Sequence, residues 1–257
     1  MTQHDAPVAI VAAMREEMRA LLPLMSQART FARAGREFHL GRLGDRRVVL
    51  VRCGIGKVAA ATTAALLAAE FAPALLILTG VAGGLGEGVR VGDVVLARAL
   101  LQHDMDASPL FPRYEVPLTG RARFAVDAAL ADRVAIATEA GLRSVQREVG
   151  GAQLAAFGIQ EPRLHQGLVV SGDRFVATAA ESTALRAALP DALAVEMEGA
   201  AVAQVCADFE LPLAVLRVIS DRADDSAHVD FLRFTEEVAS VLTRLIVVAA
   251  LGEPTDR

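Results

Sequence analysis

Two apolar runs that each finish on acid constrain this chain more than any other feature. Asp191 to Val195 reads as a buried strand that runs into Glu196-Met197-Glu198, and Leu213 to Ile219 reads as a second that ends at Ser220-Asp221. Between them, Gly199 to Phe209 reads as a helix with small residues facing inward. In an open α/β sheet the carboxyl ends of strands face the crevice where ligands bind, so these carboxylates are aimed at a ligand site.

The rest of the chain alternates in the same way. Val8 to Ala12 reads as a strand and Glu16 to Leu24 as a helix. Glu37 to Leu43 and Arg46 to Arg52 form a hairpin around the turn dipeptide Gly44-Asp45. A helix from Lys57 to Phe71 leads through Pro73 into a strand, Leu75 to Thr79. A glycine-rich loop to Gly92 and a strand from Val94 to Ala97 follow. Gln102 to Gly120 carries Pro109, Pro112 and Pro117 and reads as a long irregular loop, a kind that is usually functional in a compact domain. Arg121 to Ala140 has helical spacing, Arg143 to Leu164 has only a weak pattern, Gly167 to Val170 is a strand, and Phe231 to Leu251 is an amphipathic helix. The expected fold is α/β: a single domain over residues 1–257, core about 8–251, with a central mixed sheet covered by helices on both faces.

Composition narrows the function. A chain of 257 residues can bury most of its apolar surface as one domain. Its apolar runs fall short of the roughly 18 residues of a membrane span, and Met1 to Pro7 has no secretory signature. A net charge of -5 gives no electrostatic reason to expect nucleic acid or an acidic membrane surface as partner, so the ligand is expected to be small and not polyanionic. Cys53 and Cys206 lie inside apolar patterns without CxxC spacing, which argues for buried thiols and a cytoplasmic protein rather than a zinc site or a disulfide. Gly54-Ile55-Gly56-Lys57 fails the phosphate-loop pattern, with Val51 at its first glycine and Val58 at its Ser or Thr. The run Gly80 to Gly86 fails the dinucleotide spacing and reads as a tight turn or a backbone that approaches a ligand closely.

Five ordered segments carry a resemblance: Ala12-Ala13-Met14-Arg15-Glu16-Glu17-Met18, Gly54-Ile55-Gly56-Lys57-Val58-Ala59-Ala60, Thr79-Gly80-Val81-Ala82-Gly83-Gly84-Leu85, Ser171-Gly172-Asp173-Arg174-Phe175, and Val195-Glu196-Met197-Glu198 with Ser220-Asp221. Together they resemble the 5'-methylthioadenosine/S-adenosylhomocysteine nucleosidases of the purine nucleoside phosphorylase and uridine phosphorylase superfamily. The resemblance runs from about Val8 to about Phe234 and implies a nucleoside substrate, no cofactor, no metal and a homodimer.

It also implies roles. An N-glycosidic bond breaks through an oxocarbenium-like transition state, so one group must protonate the purine and another must activate water on the opposite face. Glu16 and Glu17 cannot face the same way on a helix, so only one can enter the crevice; by resemblance that one is Glu17, the general base, and Asp221 protonates N7. Glu198 takes the ribose hydroxyls, Met197 packs on the sugar, and Arg217 helps to hold Glu198 and the attacking water. Phe175 stacks on adenine, Val176 offers its backbone to the base edge, and Phe231 lines the pocket of the 5' substituent. Ser220, Val81, Ala82 and Gly83 complete the substrate-binding set. Each residue also has a plainer reading: Asp221 as the cap of a turn, Glu17 as an acid at a helix start, Arg217 as a structural ion pair, Met197 and Phe231 as core.

His103-Asp104-Met105-Asp106 looks like a metal motif, but no further histidine cluster supports it, and the loop diverges from the family after Asp104. Two other functions remain open. Phosphorylases of the superfamily bind phosphate with a glycine-and-arginine segment after the first strand and a serine after Gly80. Here those places hold Met14-Arg15-Glu16-Glu17 and Val81, and a carboxylate repels phosphate while a valine has no hydrogen to donate. A catalytically silent nucleoside-binding protein on the same fold is the other.

Overall fold

In a computed structural model that describes residues 6–223 and 231–252, the apolar runs become the strands of one eleven-stranded sheet. The first half comprises β1 (Val8–Ala12), the one-turn α1 (Arg15–Met18), β2 (Ser26–Arg33), β3 (Arg36–Leu43), β4 (Arg46–Arg52), α2 (Lys57–Leu66), β5 (Leu75–Leu78) and β6 (Val81–Gly84). The second comprises β7 (Val94–Gln102), β8 (Arg123–Ala125), α3 (Ala128–Val149), α4 (Gly151–Ala156), β9 (Leu164–Ser171), α5 (Ala179–Ala188), β10 (Ala192–Glu196), α6 (Gly199–Asp208), β11 (Leu213–Asp221), α7 (Phe231–Phe234) and α8 (Ser240–Gly252). The segment Met1 to Asp5, read above as free of a secretory signal, lies outside the described residues. Among the described residues no helix is long and apolar enough to cross a membrane.

The strand order is β2-β3-β4-β1-β5-β11-β6-β10-β9-β7-β8. β11 has partners on both edges. Leu213 to Val215 pair with β5 in parallel, Val218 to Asp221 continue in parallel with β6, and Leu216 to Val218 pair antiparallel with β7 on the other side. Strands β11, β6, β10, β9 and β7 therefore close into a ring, while β5, β1, β4, β3 and β2 extend from it as an open sheet. Strands buried on both faces must be apolar throughout, as all five residues of β1 and six of the first seven of β11 are in type. Arg217 is the exception in β11, and it belongs to the site.

Helices cover both faces. α3 and α8 pack against each other over one face with Val134, Leu242 and Ile246 buried between them, while α2 and α6 cover the other with Ala60, Ala64, Ala200 and Ala203. The small residues of α2 and α6 let these two helices lie close together.

The structure departs from the sequence reading in several places. The helix expected from Glu16 to Leu24 is one turn followed by a 3-10 turn at Leu22–Leu24, interrupted before Pro23. The glycine-rich loop after Thr79 begins as β6, a central strand paired to both β10 and β11. Helical spacing from Arg121 misplaced the start of α3: Arg123–Ala125 is a strand, and Asp127 caps the helix by accepting the Leu130 N–H at 2.7 Å. That helix continues to Val149 and ends before Gly150, inside the stretch read as weakly patterned. β2 and α5 had no counterpart in the reading. β2 lies at the sheet edge with every residue exposed, so it lacks the alternation that marks a strand. α5 opens on a cap, the Thr178 hydroxyl accepting from the Glu181 N–H at 3.3 Å.

Candidate active site

The carboxyl ends of β1, β10 and β11 and the strand β6 enclose one cleft. Glu17 enters it from α1. Its Oε2 accepts the N–H groups of Ala13 (2.8 Å) and Met14 (2.9 Å), and its Oε1 accepts the Val81 N–H (3.1 Å). The short helix arises because the side chain at its third position folds back onto the start of its own turn. Glu16 points away and is partly exposed, while Glu17 is 2 % exposed. Burial raises the pKa of Glu17 above the usual carboxylate value, against the pull of Arg217 and the three amides. A carboxylate raised in this way is a stronger base than an ordinary one.

Behind the cleft stands a charged cluster. Arg217, fully buried on β11, gives Nη2 to both Glu196 and Glu198, at 3.4 Å from the Oε2 of Glu198, and gives Nη1 to the Thr79 carbonyl at 3.0 Å. Glu196 also accepts the Glu198 N–H (3.1 Å), the Gly199 N–H (2.9 Å) and the Ser171 hydroxyl, and that hydroxyl accepts the Ala200 N–H at 2.7 Å. Glu196 thus holds the start of α6 in place, and with it Glu198. The Oε1 of Glu198 accepts the Gly56 N–H at 2.9 Å. Burial, and then the negative charge of Glu196, push the Glu198 pKa up to about 7, while Arg217 and the Gly56 amide pull it down. Burial works against the charge of Arg217, but Glu196, Glu198 and Glu17 outweigh it and hold its pKa above the ordinary arginine value. Gly80 makes room for this cluster: a Cβ there would stand 2.1 Å from Arg217 Nη1 and 2.7 Å from Glu17 Oε1.

Asp221 faces the cleft from the end of β11. The pairing with β6 slips by one residue at Ser220, a bulge that breaks the two-residue alternation just before Asp221. Its Oδ2 accepts the Ser220 hydroxyl at 2.7 Å and its Oδ1 accepts the Ala223 N–H at 2.7 Å. The second contact is the turn cap of the plainer reading, present in the same side chain that lines the cleft. Gly83 leaves space for it, since a Cβ there would lie 3.0 Å from Asp221 Oδ1. Val81, Ala82, Gly83, Val176, Met197 and Ser220 also line the cleft. Phe175 and Phe231 stand edge to face at its mouth, their ring centres 6.2 Å apart, with nearly half of Phe175 exposed.

The structure brings together every residue singled out from the sequence except one. Arg217, placed in the substrate-binding set and expected to help hold Glu198 and the attacking water, does not line the cleft; it contacts Glu198 and Glu196 from behind, as their counterion. Glu196 was missed as a site residue, although it belongs to the Val-Glu-Met-Glu run. The signal was its place on the last residue of an apolar strand, where a lone acid must find a buried partner. In the loop that looked metal-like, Asp104 pairs with the Lys57 ammonium at 2.6 Å.

Residues 7–251 match the Phosphorylase superfamily. A 5'-methylthioadenosine/S-adenosylhomocysteine nucleosidase of Staphylococcus aureus is 36% identical over 236 residues, covering 90% of this chain and 93% of the relative. One of Anoxybacillus flavithermus is 34% identical over 243 residues, covering 93% and 97%. The chain belongs to the 5'-methylthioadenosine/S-adenosylhomocysteine nucleosidase family of the Phosphorylase superfamily. Among solved structures, the nucleosidase of Neisseria meningitidis in complex with methylthio-immucillin-A superposes with a TM-score of 0.83 at 34% identity, covering 95% of this chain and 98% of that one. The mixed sheet with helices on both faces is the fold of this family.

Removing Arg217 leaves three buried carboxylates with no cation. Arg217→Met is expected to lose about 3–5 kcal/mol of stability. The loss has a pH sign. Without the guanidinium the folded-state pKa values of Glu17 and Glu198 rise further above their unfolded values, so the penalty is small where both are protonated and grows as pH rises. Urea unfolding at pH 5 and pH 8 measures this, and an equal loss at both would contradict the counterion role.

Proposed function

We propose that this protein hydrolyses the N-glycosidic bond of 5'-methylthioadenosine and S-adenosylhomocysteine, releasing adenine and the 5'-thioribose. The observation that carries hydrolysis over phosphorolysis is the position of Glu17. Its carboxylate occupies the amides of Ala13 and Met14 after the first strand and the amide of Val81 after Gly80, the two places where superfamily phosphorylases hold phosphate. An amide cradle filled by the protein's own anion has neither room nor charge for a second one. The same carboxylate argues against a silent binding protein, since a nucleoside binder has no need of a buried base with a raised pKa beside the sugar.

In this reading the nucleoside lies with adenine between Phe175 and Asp221, its edge toward the Val176 backbone and its ribose over Met197. Glu198 accepts the ribose hydroxyls and places negative charge beside the developing cation. Glu17 takes a proton from the attacking water, and Asp221, protonated, gives its proton to N7 as the bond breaks. Ser220 orients that carboxyl. Arg217 acts at one remove, keeping Glu196 and Glu198 in place. Phe231 and the loop 103–120 shape the space for the 5' group. We further propose that the chain works as a single domain in a cytoplasmic homodimer, with the exposed Ile55, Val58, Leu110 and Leu118 as apolar surface for the second copy. Sedimentation velocity distinguishes the dimer from a monomer.

Methylthioribose should form at the same rate with and without phosphate, and a ribose 1-phosphate product, seen by mass spectrometry, would overturn hydrolysis. Glu17→Gln should lose roughly 10² to 10⁴ in turnover while still binding nucleoside.

Asp221→Asn keeps the shape of the side chain but has no acidic proton to give. Its rate on methylthioadenosine should fall severely, while a nitrophenyl riboside, whose leaving group departs without protonation, should be cleaved nearly as well as before. Equal losses on both substrates in a folded variant would show that Asp221 is not the acid.

A further inference from the structure

We propose that Lys57, Asp104 and Asp173 are positioning residues that form a latch holding the Gly56 N–H on Glu198, a role that rests on the ribose-binding reading of Glu198 above. None of the three lines the cleft. They form a closed ring that joins three segments distant in sequence. The Lys57 N–H donates to Asp173 Oδ1 at 2.7 Å, the Asp173 N–H donates to Asp104 Oδ2 at 2.9 Å, and the Lys57 ammonium closes the ring on Asp104 Oδ1 at 2.6 Å. The ammonium also lies 3.9 Å from Asp173 Oδ2. Its side chain is only 16% exposed, so water screens this pair less than a surface ion pair.

Gly56 and Lys57 are neighbours, and their consecutive N–H groups point at two different carboxylates, Glu198 at 2.9 Å and Asp173 at 2.7 Å. Fixing the second fixes the first. The turn that permits this has φ +98° at Gly56, where a Cβ would stand 3.1 Å from Asp173 Oδ1. The charged and titratable groups around Glu198 come from every neighbouring element: Glu196 before it, Arg217 on β11, Glu17 on α1 and Cys53 after β4. Of the groups that favour its ionised form, Arg217 is embedded in the closed ring of strands. The Gly56 N–H is carried on a loop and is held there by the latch. If the latch is opened, Glu198 loses a hydrogen bond that only its charged form uses fully, and its titration moves to higher pH.

Two independent variants, Lys57→Met and Asp104→Ala, test this, with Lys57→Arg as the conservative control. The first readout is the acid limb of kcat/KM for methylthioadenosine, and the second is the 13C shift of the Glu198 carboxyl against pH, identified by its absence in Glu198→Gln. Both variants should move the Glu198 titration upward by about half to one pH unit from its place near 7. The limb of kcat/KM should follow, while kcat at pH 9 stays within about twofold and Lys57→Arg titrates near wild type. A ring that merely stiffens the loop would lower kcat/KM equally at all pH values. An unmoved Glu198 titration in both folded variants overturns the latch. Lack of turnover by the wild-type protein would instead overturn the nucleosidase reading, and the carboxyl titration would still decide the latch.

Discussion

One guanidinium, buried completely and shared among carboxylates, is the interaction on which the site depends. Arg217 is the only charged residue in the interior of β11, and a cation there is tolerable only because Glu196, Glu198 and Glu17 surround it. The converse also holds. Burial raises the pKa of Glu17 above the ordinary value, and burial together with the charge of Glu196 raises that of Glu198 to about 7, so three carboxylates beside one cation leave an excess of negative charge when ionised. Structure and chemistry therefore use the same ions. The excess negative charge that makes the cluster costly to bury is also what favours a passing positive charge on the sugar.

The backbone is arranged to make the cluster possible. Glycine at position 80 lets the strand pass within contact distance of Arg217 and Glu17, and glycine at 199 does the same beside Glu196, where a Cβ would stand 3.0 Å from its Oε1. Amides supply what the single cation cannot. Ala13, Met14 and Val81 donate to Glu17, Gly56 to Glu198, and the start of α6 to Glu196. Each carboxylate thus receives neutral backbone donors, set by the ends of strands and the start of a helix for Glu17 and Glu196 and by the Gly56 loop for Glu198.

Most of this was legible in the sequence where period and composition carry the signal. Buried strands such as β1 and β5 are continuous apolar runs, and the acids that end β10 and β11 mark the crevice. Three kinds of feature were not. β6 reads as a loop because Gly83 and Gly84 have no β-propensity, and it is a strand through pairing to both neighbours. β2 is exposed throughout, so it lacks the alternation that a half-buried strand leaves in a sequence. Glu196 escaped notice because its importance lies in Arg217, Ser171 and the amide of Gly199, which converge only in three dimensions. Arg217 itself was read with two possible roles, and its depth behind the cleft places it with the support of the site.

The closed ring around β11 has a dynamic consequence. A strand bonded along both edges cannot peel away locally, so its amides exchange with solvent only when the whole ring opens. Arg217 and Asp221 ride on that strand, and their spacing is as durable as the fold itself. The mouth of the cleft lies between the Phe175 loop and the helix of Phe231, so a ligand that enters or leaves meets two aromatic edges and not the strand that carries the ions.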